Sequence, residues 1–181
     1  MVCFASAVTI DGPAPTGSTQ TCSSTLTLAP GVYVFENGVT FGGCVTSGTS
    51  GGIGGTTLDV YQGSFNLNSQ TYFNLHAPTS GSTQGIVIME PPGNTNPLNL
   101  QVGHSTGNVY GISGDIAGII YTPDALLEFN DSGCDTLCGG LTLDADIIVK
   151  DFYDQTTAIT INTYQDSGNA PSALRKITLV E

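Results

Sequence analysis

Hydrophobic and polar residues alternate with a period of two along most of this chain. Phe65 and Leu67 are separated and flanked by polar residues, as are Phe73 and Leu75, and the run 141–149 continues the pattern. Such alternation is typical of strands with one buried face. The 24 glycines and 9 prolines punctuate these runs, and no window offers a capped stretch of about ten good helix formers. The sequence therefore predicts an all-β protein.

A β-sandwich and a β-solenoid both give short alternating strands separated by turns, but three observations favour the solenoid. Outward positions carry Thr, Ser and Asn, which stack in ladders on neighbouring coils. Wide turns such as 48–55 and 91–97 outnumber hairpin signals such as Asn37-Gly38. Strand-turn-strand units recur at roughly 20 to 25 residues. The Thr-x-Thr motif does not recur at a constant spacing, and this disfavours a regular ice-binding face.

We therefore predict one β-solenoid domain over residues 1–181, with a β-sandwich as the alternative. The repeat predicts about seven or eight coils, which at the usual strand spacing make a rod about 35 Å long. Residues 1–20 and 163–181 are predicted to act as caps or joints at the two ends. Residues 1–10 have no basic start and no sustained apolar run, so they predict a strand. If the protein is exported, we expect its signal or anchor to have been cut off or to lie upstream.

Charge limits the classes of partner. The 181 residues contain 3 Lys and Arg against 15 Asp and Glu, a formal net charge of −12. Nucleic acid is excluded as a partner because phosphate binding needs clustered cations, and the cations are only Lys150, Arg175 and Lys176. The same sign argues against docking on anionic lipid. No stretch approaches the ~20 apolar residues of a membrane span, so we expect no membrane insertion.

The five cysteines indicate an oxidising compartment. Cys134 and Cys138 are flanked by glycines that allow a tight loop, and we expect a local disulfide there. Cys22 and Cys44 flank the first clear pair of strands and are the second expected disulfide. Cys3 is then left over, either free or competing for one of these partners.

The remaining motifs carry weaker chemistry. A zinc site at the Cys134 pair is disfavoured because His76 and His104 do not form a ligand-spaced pair; both histidines are predicted to be surface or turn residues. Gly48-Thr-Ser50-Gly-Gly matches G-x-S-x-G but lies in a loop, not in a strand-to-helix elbow. Asn130-Asp-Ser is the one glycosylation sequon.

The best group of carboxylates is Asp144 and Asp146, which share one face of a strand with Cβ atoms about 7 Å apart. Asp151 and Asp154 follow closely. Such a group could cleave polysaccharides or, through Asp144, Asp146 and Asp151, bind Ca²⁺, although it lacks the Asp-Gly loop of a calcium motif. A sugar-cleaving site also wants a cation or an aromatic platform, and the neighbours are Lys150, Phe152 and Tyr153. A solvated acidic face is the favoured interpretation, and we predict no cofactor.

Several segments are informative through the order in which they occur along the chain. It comprises 28–35, Gly38-Val-Thr-Phe41, 75–81 running into Gly85-Ile-Val-Ile-Met89, 116–124 with Leu127-Glu-Phe129, and 143–147. The series resembles the C-terminal β-helical region of TadG-like proteins, which accompany the tight-adherence (Flp-type) pilus machinery in the bacterial envelope. The resemblance covers roughly residues 20 to 162 and implies a right-handed parallel β-helix at the cell surface or in the periplasm, without known catalysis. The N-terminal membrane helix of that family has no counterpart in these residues.

From the residues and the resemblance together we predict a non-catalytic structural or adhesive module of the bacterial cell surface or envelope. The expected partners are other envelope or pilus proteins, carbohydrate, or further copies of the chain. A polysaccharide-degrading enzyme and a filament subunit are the alternatives, the latter because the end coils of a solenoid present unpaired backbone groups.

Overall fold

The protein is all β in its computed structural model. The described residues are 1–14, 22–50, 53–68, 71–101, 113–130, 141–154 and 159–164. No helix occurs in these ranges, and so none has the length and apolar character of a membrane span. The strands are, in chain order, β1 (Val2–Phe4), β2 (Val8–Asp11), β3 (Leu26–Leu28), β4 (Gly31–Phe35), β5 (Val39–Gly42), β6 (Cys44–Ser47), β7 (Thr49–Ser50), β8 (Ile53–Gly54), β9 (Thr56–Val60), β10 (Phe65–Leu67), β11 (Tyr72–His76), β12 (Ile86–Met89), β13 (Leu98–Gln101), β14 (Ser113–Asn130), β15 (Leu141–Asp154) and β16 (Ile159–Asn162).

The strands pair in three parallel ladders. The first ladder joins β1, β4, β9, β12, the middle of β14 and the middle of β15. The second joins β2, β5, β10, β13 and the ends of β14 and β15. The third joins β3, β6, β11, the beginnings of β14 and β15, and β16. The antiparallel pair β7 and β8 is the one exception among the described strands.

This order makes the chain solenoid-like, because it visits the three ladders in turn and then returns to the first. Each return adds one coil, and the described strands form six coils. Two antiparallel layers, as in the β-sandwich alternative, are ruled out for the described strands by their parallel pairing. β14 runs without interruption from the third ladder through the first to the second, pairing with β11, β12 and β13.

Several coils are longer than the predicted length of roughly 20 to 25 residues, and the described residues form six coils, whereas seven or eight were predicted for the whole chain. Hydrogen bonds between consecutive coils join Thr56 to Ala29, a sequence separation of 27, and Asn99 to Asn66, a separation of 33. Apart from β14 and β15, every strand has two to five residues, so the extra length of the other coils lies in the corners between ladders. Alternation with a period of two reports which face of a strand is buried, but it does not report how long the next corner is.

The core fills the space that the three ladders enclose. Inward positions follow the predicted alternation, so that all four of the apolar residues in β10 and at the centre of β11 are fully buried, namely Phe65, Leu67, Phe73 and Leu75. Aromatic rings pack between coils: the ring centroid of Phe41, on the second coil, lies 5.7 Å from that of Phe65 and 5.2 Å from that of Phe73, both on the third. Burial of these large side chains is the main force that holds successive coils in register.

Outward positions carry the predicted polar ladders. In the second ladder, Asn99 donates a hydrogen bond from Nδ2 to Oδ1 of Asn66 over 2.8 Å, and Thr9 pairs with Thr40 on the coils before them. Corner residues stack in a similar way, since Asn37 Nδ2 donates to the carbonyl oxygen of Ala5 over 2.6 Å. Asparagine therefore links coils both on the flat faces and at the corners.

The first and last of the described coils expose large apolar side chains, and each of these coils has a described neighbour on one side only. Within the described ranges, the exposed large apolar residues on these coils are Met1, Val2, Leu26, Phe152, Tyr153 and Ile161. Tyr61 is the exception, because it is 55% exposed on the third coil, in the middle of the stack. Of the predicted end segments, 1–20 contributes β1 and β2 as outermost strands, and 165–181 lies outside the described residues.

Candidate functional site

The acidic residues singled out in the sequence do not gather at one place. Asp144 pairs with Ala117 in the third ladder, Asp146 pairs with Ile119 in the first, and Asp151 lies against Leu126 where the second ladder begins. Both Asp144 and Asp146 are half-buried, whereas Asp151 is exposed. The described part of the chain contains no group of three or more His, Cys, Asp or Glu residues arranged to hold a metal ion.

Asp144 belongs instead to a cluster that the ladder register assembles from four consecutive coils. We call it the polar cluster; its members are Asn74, His76, Asp115, Asp144 and Asn162. Asn162 Nδ2 donates to Asp144 Oδ1 over 2.8 Å, and His76 Nε2 lies 3.4 Å from Asp115 Oδ2.

The middle of the polar cluster is occupied by a small residue, Ala117. Ala117 pairs with His76 on one side and with Asp144 on the other. Asp115 lies two positions before Ala117 on the same outward face, because side chains alternate along a strand. A methyl group therefore forms the floor between one imidazole and two carboxylates.

Electrostatics distinguish the two carboxylates of the polar cluster. Partial burial raises the pKa of Asp115, the nearby carboxylate of Asp144 raises it further, and the charge and hydrogen bond of His76 oppose both effects. Asp115 Oδ1 and Asn74 Oδ1, on directly paired residues, are buried without a hydrogen-bond partner in the described structure. The free energy of Asp115 ionisation therefore depends on both neighbours.

A cavity of about 260 Å³ lies beside the polar cluster. Its walls come from β6 and β11 of the third ladder, from the end of β8 and from the corner that follows β11, and include Ser47, Asn74, His76 and Thr79. The Ser47 hydroxyl accepts a hydrogen bond from the His76 backbone N–H over 3.0 Å, which ties β11 to β6 at this point. The cavity gives a small polar molecule access to His76 and Asn74.

The predicted disulfide between Cys22 and Cys44 is confirmed. The bond joins the first coil to the start of β6 on the second coil, with 6.0 Å between the Cα atoms. Cys3 is free and exposed. Cys134 and Cys138, the other predicted pair, lie outside the described residues, as does His104.

Other predicted features have ordinary positions. Ser50 lies in β7, which pairs antiparallel with β8, so it is not at a strand-to-helix turn. Phe152 packs against the buried Phe129 at 5.4 Å between ring centroids while keeping 45% of its surface exposed. Asn130 ends β14, and the other two residues of its sequon lie outside the described ranges.

The structure also contains a groove that sequence analysis missed. It lies at the corner between the first and second ladders and has a volume of about 550 Å³. We call it the corner groove; its lining residues are Asn37, Tyr61, Gln62, Gly63, Pro91, Pro92, Gly93, Asn94, Thr95 and Asn96. The signal that could have found it is the run of amide and proline residues at 91–96 with no charged residue in it.

Comparison with known proteins adds no relative. No protein-family model, curated protein or solved structure matches the chain.

Proposed function

We propose that this chain is a right-handed parallel β-helix that serves as a non-catalytic structural or adhesive module of the bacterial cell surface or envelope. One observation supports this proposal most strongly: three parallel ladders continue through all six described coils, with uncharged polar side chains on much of their outer surface. Such a stack is a stiff scaffold whose faces are available for contact along their whole length.

Two features favour a location outside the cytoplasm. The Cys22–Cys44 disulfide needs an oxidising compartment to persist. The formal net charge of −12 suits a protein that must remain soluble without binding nucleic acid or anionic lipid. The resemblance to the β-helical region of TadG-like proteins supports the same location and a partner among envelope or pilus proteins.

Surface labelling in the native bacterium tests this proposal. We expect intact cells to expose the protein to a membrane-impermeant amine reagent, and a deletion strain to lose adhesion or pilus-dependent attachment until the gene is restored. A cytosolic protein of the same strain serves as the control for cell lysis. Recovery of the chain only in the cytosolic fraction, with its cysteines reduced, would overturn the proposal.

The polar cluster supports a second candidate, a polysaccharide-degrading enzyme. Asp115, whose pKa is raised, and Asp144 are two carboxyl groups in different environments on consecutive coils, with His76 beside them. Glycosidases use such a pair as an acid and a base. Acidic and neutral glycans should be screened for new reducing ends or unsaturated products. If the polar cluster is responsible for such an activity, Asp115→Asn and Asp144→Ala should each lower it at least about a hundredfold. Asp146→Ala should retain the activity of the wild type.

The exposed end coils support a third candidate, a filament subunit. Val2 and Leu26 on the first coil, and Phe152 and Ile161 on the last, are more than a third exposed. A second copy stacked end to end would cover them and pair the unpaired strand edges. Electron microscopy of concentrated protein should then show rods, and Leu26→Lys should shorten them. Particles of one subunit length at every concentration would exclude this candidate.

A further inference from the structure

We propose that the corner groove binds a neutral saccharide, with the Tyr61 ring as its stacking surface. This inference rests on the adhesive role proposed above, and it names the ligand class and the site.

The exposure of Tyr61 is the first argument. Every other large apolar side chain exposed in the described ranges lies on the first or last described coil, where a described coil packs on one side only. Tyr61 lies on the third coil, and the coils on both sides of it are present, yet 55% of its surface is open. A position at the end of the described coils therefore does not explain why Tyr61 is exposed. An aromatic ring held at a surface in this way offers an apolar face and a polar tip to a ligand.

The absence of charge is the second argument. None of the ten lining residues is acidic or basic, although the chain as a whole carries a net charge of −12. Gln62, Thr95 and Asn96 are exposed, so the groove offers amide and hydroxyl groups beside the Tyr61 ring. An uncharged ligand with many hydroxyl groups and apolar C–H faces matches this surface. An anionic glycan would meet the negative field of the surrounding protein.

Rigidity is the third argument. Asn94 is buried and donates from Nδ2 to the carbonyl oxygens of Val60 and Gly63 on the preceding coil, over 3.1 and 3.2 Å. Asn96 donates from its backbone N–H and from Nδ2 to Oδ1 of Asn94. Pro91 and Pro92 restrict the backbone just before this segment. The wall of the groove is thus ordered before a ligand arrives, which lowers the entropy cost of binding.

A close approach of two coils fixes the floor. Gly63 has a φ of +78°, and a Cβ at this position would lie 2.7 Å from the carbonyl carbon of Asn37 on the coil before. On the opposite side, the Gly93 N–H donates to Asp124 Oδ2 over 2.8 Å. The groove is therefore tied to its neighbours on both sides, and its volume of about 550 Å³ falls within the usual range for small-molecule sites.

Titration of the purified full-length chain with defined sugars tests the inference. The probes are cellohexaose, xylohexaose, mannohexaose and chitohexaose, with oligogalacturonate as the anionic comparator, followed by NMR or calorimetry. We expect at least one neutral probe to bind. Tyr61→Ala should weaken that binding about tenfold or more, since the ring supplies the stacking surface, whereas Tyr61→Phe should keep most of it.

Tyr153→Ala is the matched control, because Tyr153 is also an exposed tyrosine but lies on the last coil. Its affinity should equal that of the wild type, and thermal melts should show that all variants are folded. The inference is overturned if no neutral probe binds at millimolar concentration, if only oligogalacturonate binds, or if Tyr61→Ala binds as the wild type does. A negative result in this titration would not contradict the proposed envelope location. A cytosolic location, in turn, would not contradict sugar binding by the purified protein.

Discussion

Glu90 and Thr122 occupy equivalent positions on consecutive coils of the first ladder, each immediately after the paired residues Met89 and Tyr121. Both side chains are fully buried. Neither the Glu90 carboxyl oxygens nor the Thr122 hydroxyl has a hydrogen-bond partner within the described structure. Burial raises the pKa of Glu90 to about 8. An uncharged carboxyl group is thus part of the core at neutral pH.

This burial predicts an unusual pH dependence of stability. The unfolded chain releases the Glu90 proton near pH 4.5, whereas the folded protein holds it up to about pH 8. Between these values the folded state binds more protons, so the contribution of Glu90 lowers the free energy of unfolding as pH rises, by up to about 1.4 kcal/mol per pH unit. Glu90→Gln should match the wild type near pH 4 and exceed it by about 4 kcal/mol at pH 8 in urea unfolding.

Two variants control this measurement. Glu36→Gln makes the same chemical change at an exposed position, so it controls for the loss of one carboxyl group without the effect of burial. Thr122→Val removes the unpaired hydroxyl and should add about 1 kcal/mol to the free energy of unfolding at every pH. Parallel pH profiles for the wild type and Glu90→Gln would contradict the assignment.

The Cys22–Cys44 disulfide should contribute substantially to stability. The two residues are 22 positions apart, and closing a loop of that size stabilises a folded protein by about 3 kcal/mol. The double variant Cys22→Ala, Cys44→Ala should lower the free energy of unfolding by about this amount under oxidising conditions. Cys3→Ser, at the free and exposed cysteine, should have no effect. Equal urea midpoints for the double variant and the wild type would show that the bond stabilises nothing.

Gly118 should tolerate no side chain. Its φ is +143°, and a Cβ would lie 2.6 Å from the Cβ of Ala77 and 2.9 Å from that of Val87. Gly118→Ala should therefore cost about 3 kcal/mol or more, combining backbone strain with overpacking. Gly81 also has a positive φ, +95°, but open space around it. Gly81→Ala should cost only about 1 kcal/mol, and similar losses for the two variants in urea unfolding would refute the packing argument.

Opposite pKa changes are expected within the polar cluster. His76→Gln removes the group that lowers the pKa of Asp115, so that pKa should rise. Asp144→Asn removes a negative charge that raises it, so the pKa should fall. NMR titration of the Asp115 carboxyl carbon measures both. Asp151→Asn serves as the control, since Asp151 lies against Leu126, away from the cluster; changes of the same sign in the two cluster variants would rule out this electrostatic account.

The strands could be predicted because burial of one face of a strand produces alternating apolar and polar residues in the sequence. Phe65, Leu67, Phe73 and Leu75 alternate with polar residues in the sequence and are all buried in the structure. Ile161 follows the same pattern but is 48% exposed, because β16 lies on the last described coil. Local alternation identifies the inward face and cannot report whether another coil covers it.

The candidate sites could be predicted much less well. Asp144 was singled out, but its neighbours Asp115 and His76 lie far from it in sequence and reach it only through the register of the third ladder. That register is set by packing of the core and by corner lengths, neither of which a single sequence displays. Nothing in the sequence around Tyr61 indicates a binding site, because the lining of the corner groove is known only once the positions of the neighbouring coils are known.

The covalent link between the first two coils also determines how the chain would respond to mechanical force. β1 and β2 precede Cys22, so a pull on the amino terminus would peel these two strands away and then load the disulfide. From Cys22 the tension passes directly to Cys44, and β3, β4 and β5 lie on the bypassed segment. A pull at this end would therefore unfold β1 and β2 first, while the strands between Cys22 and Cys44 stay outside the line of force.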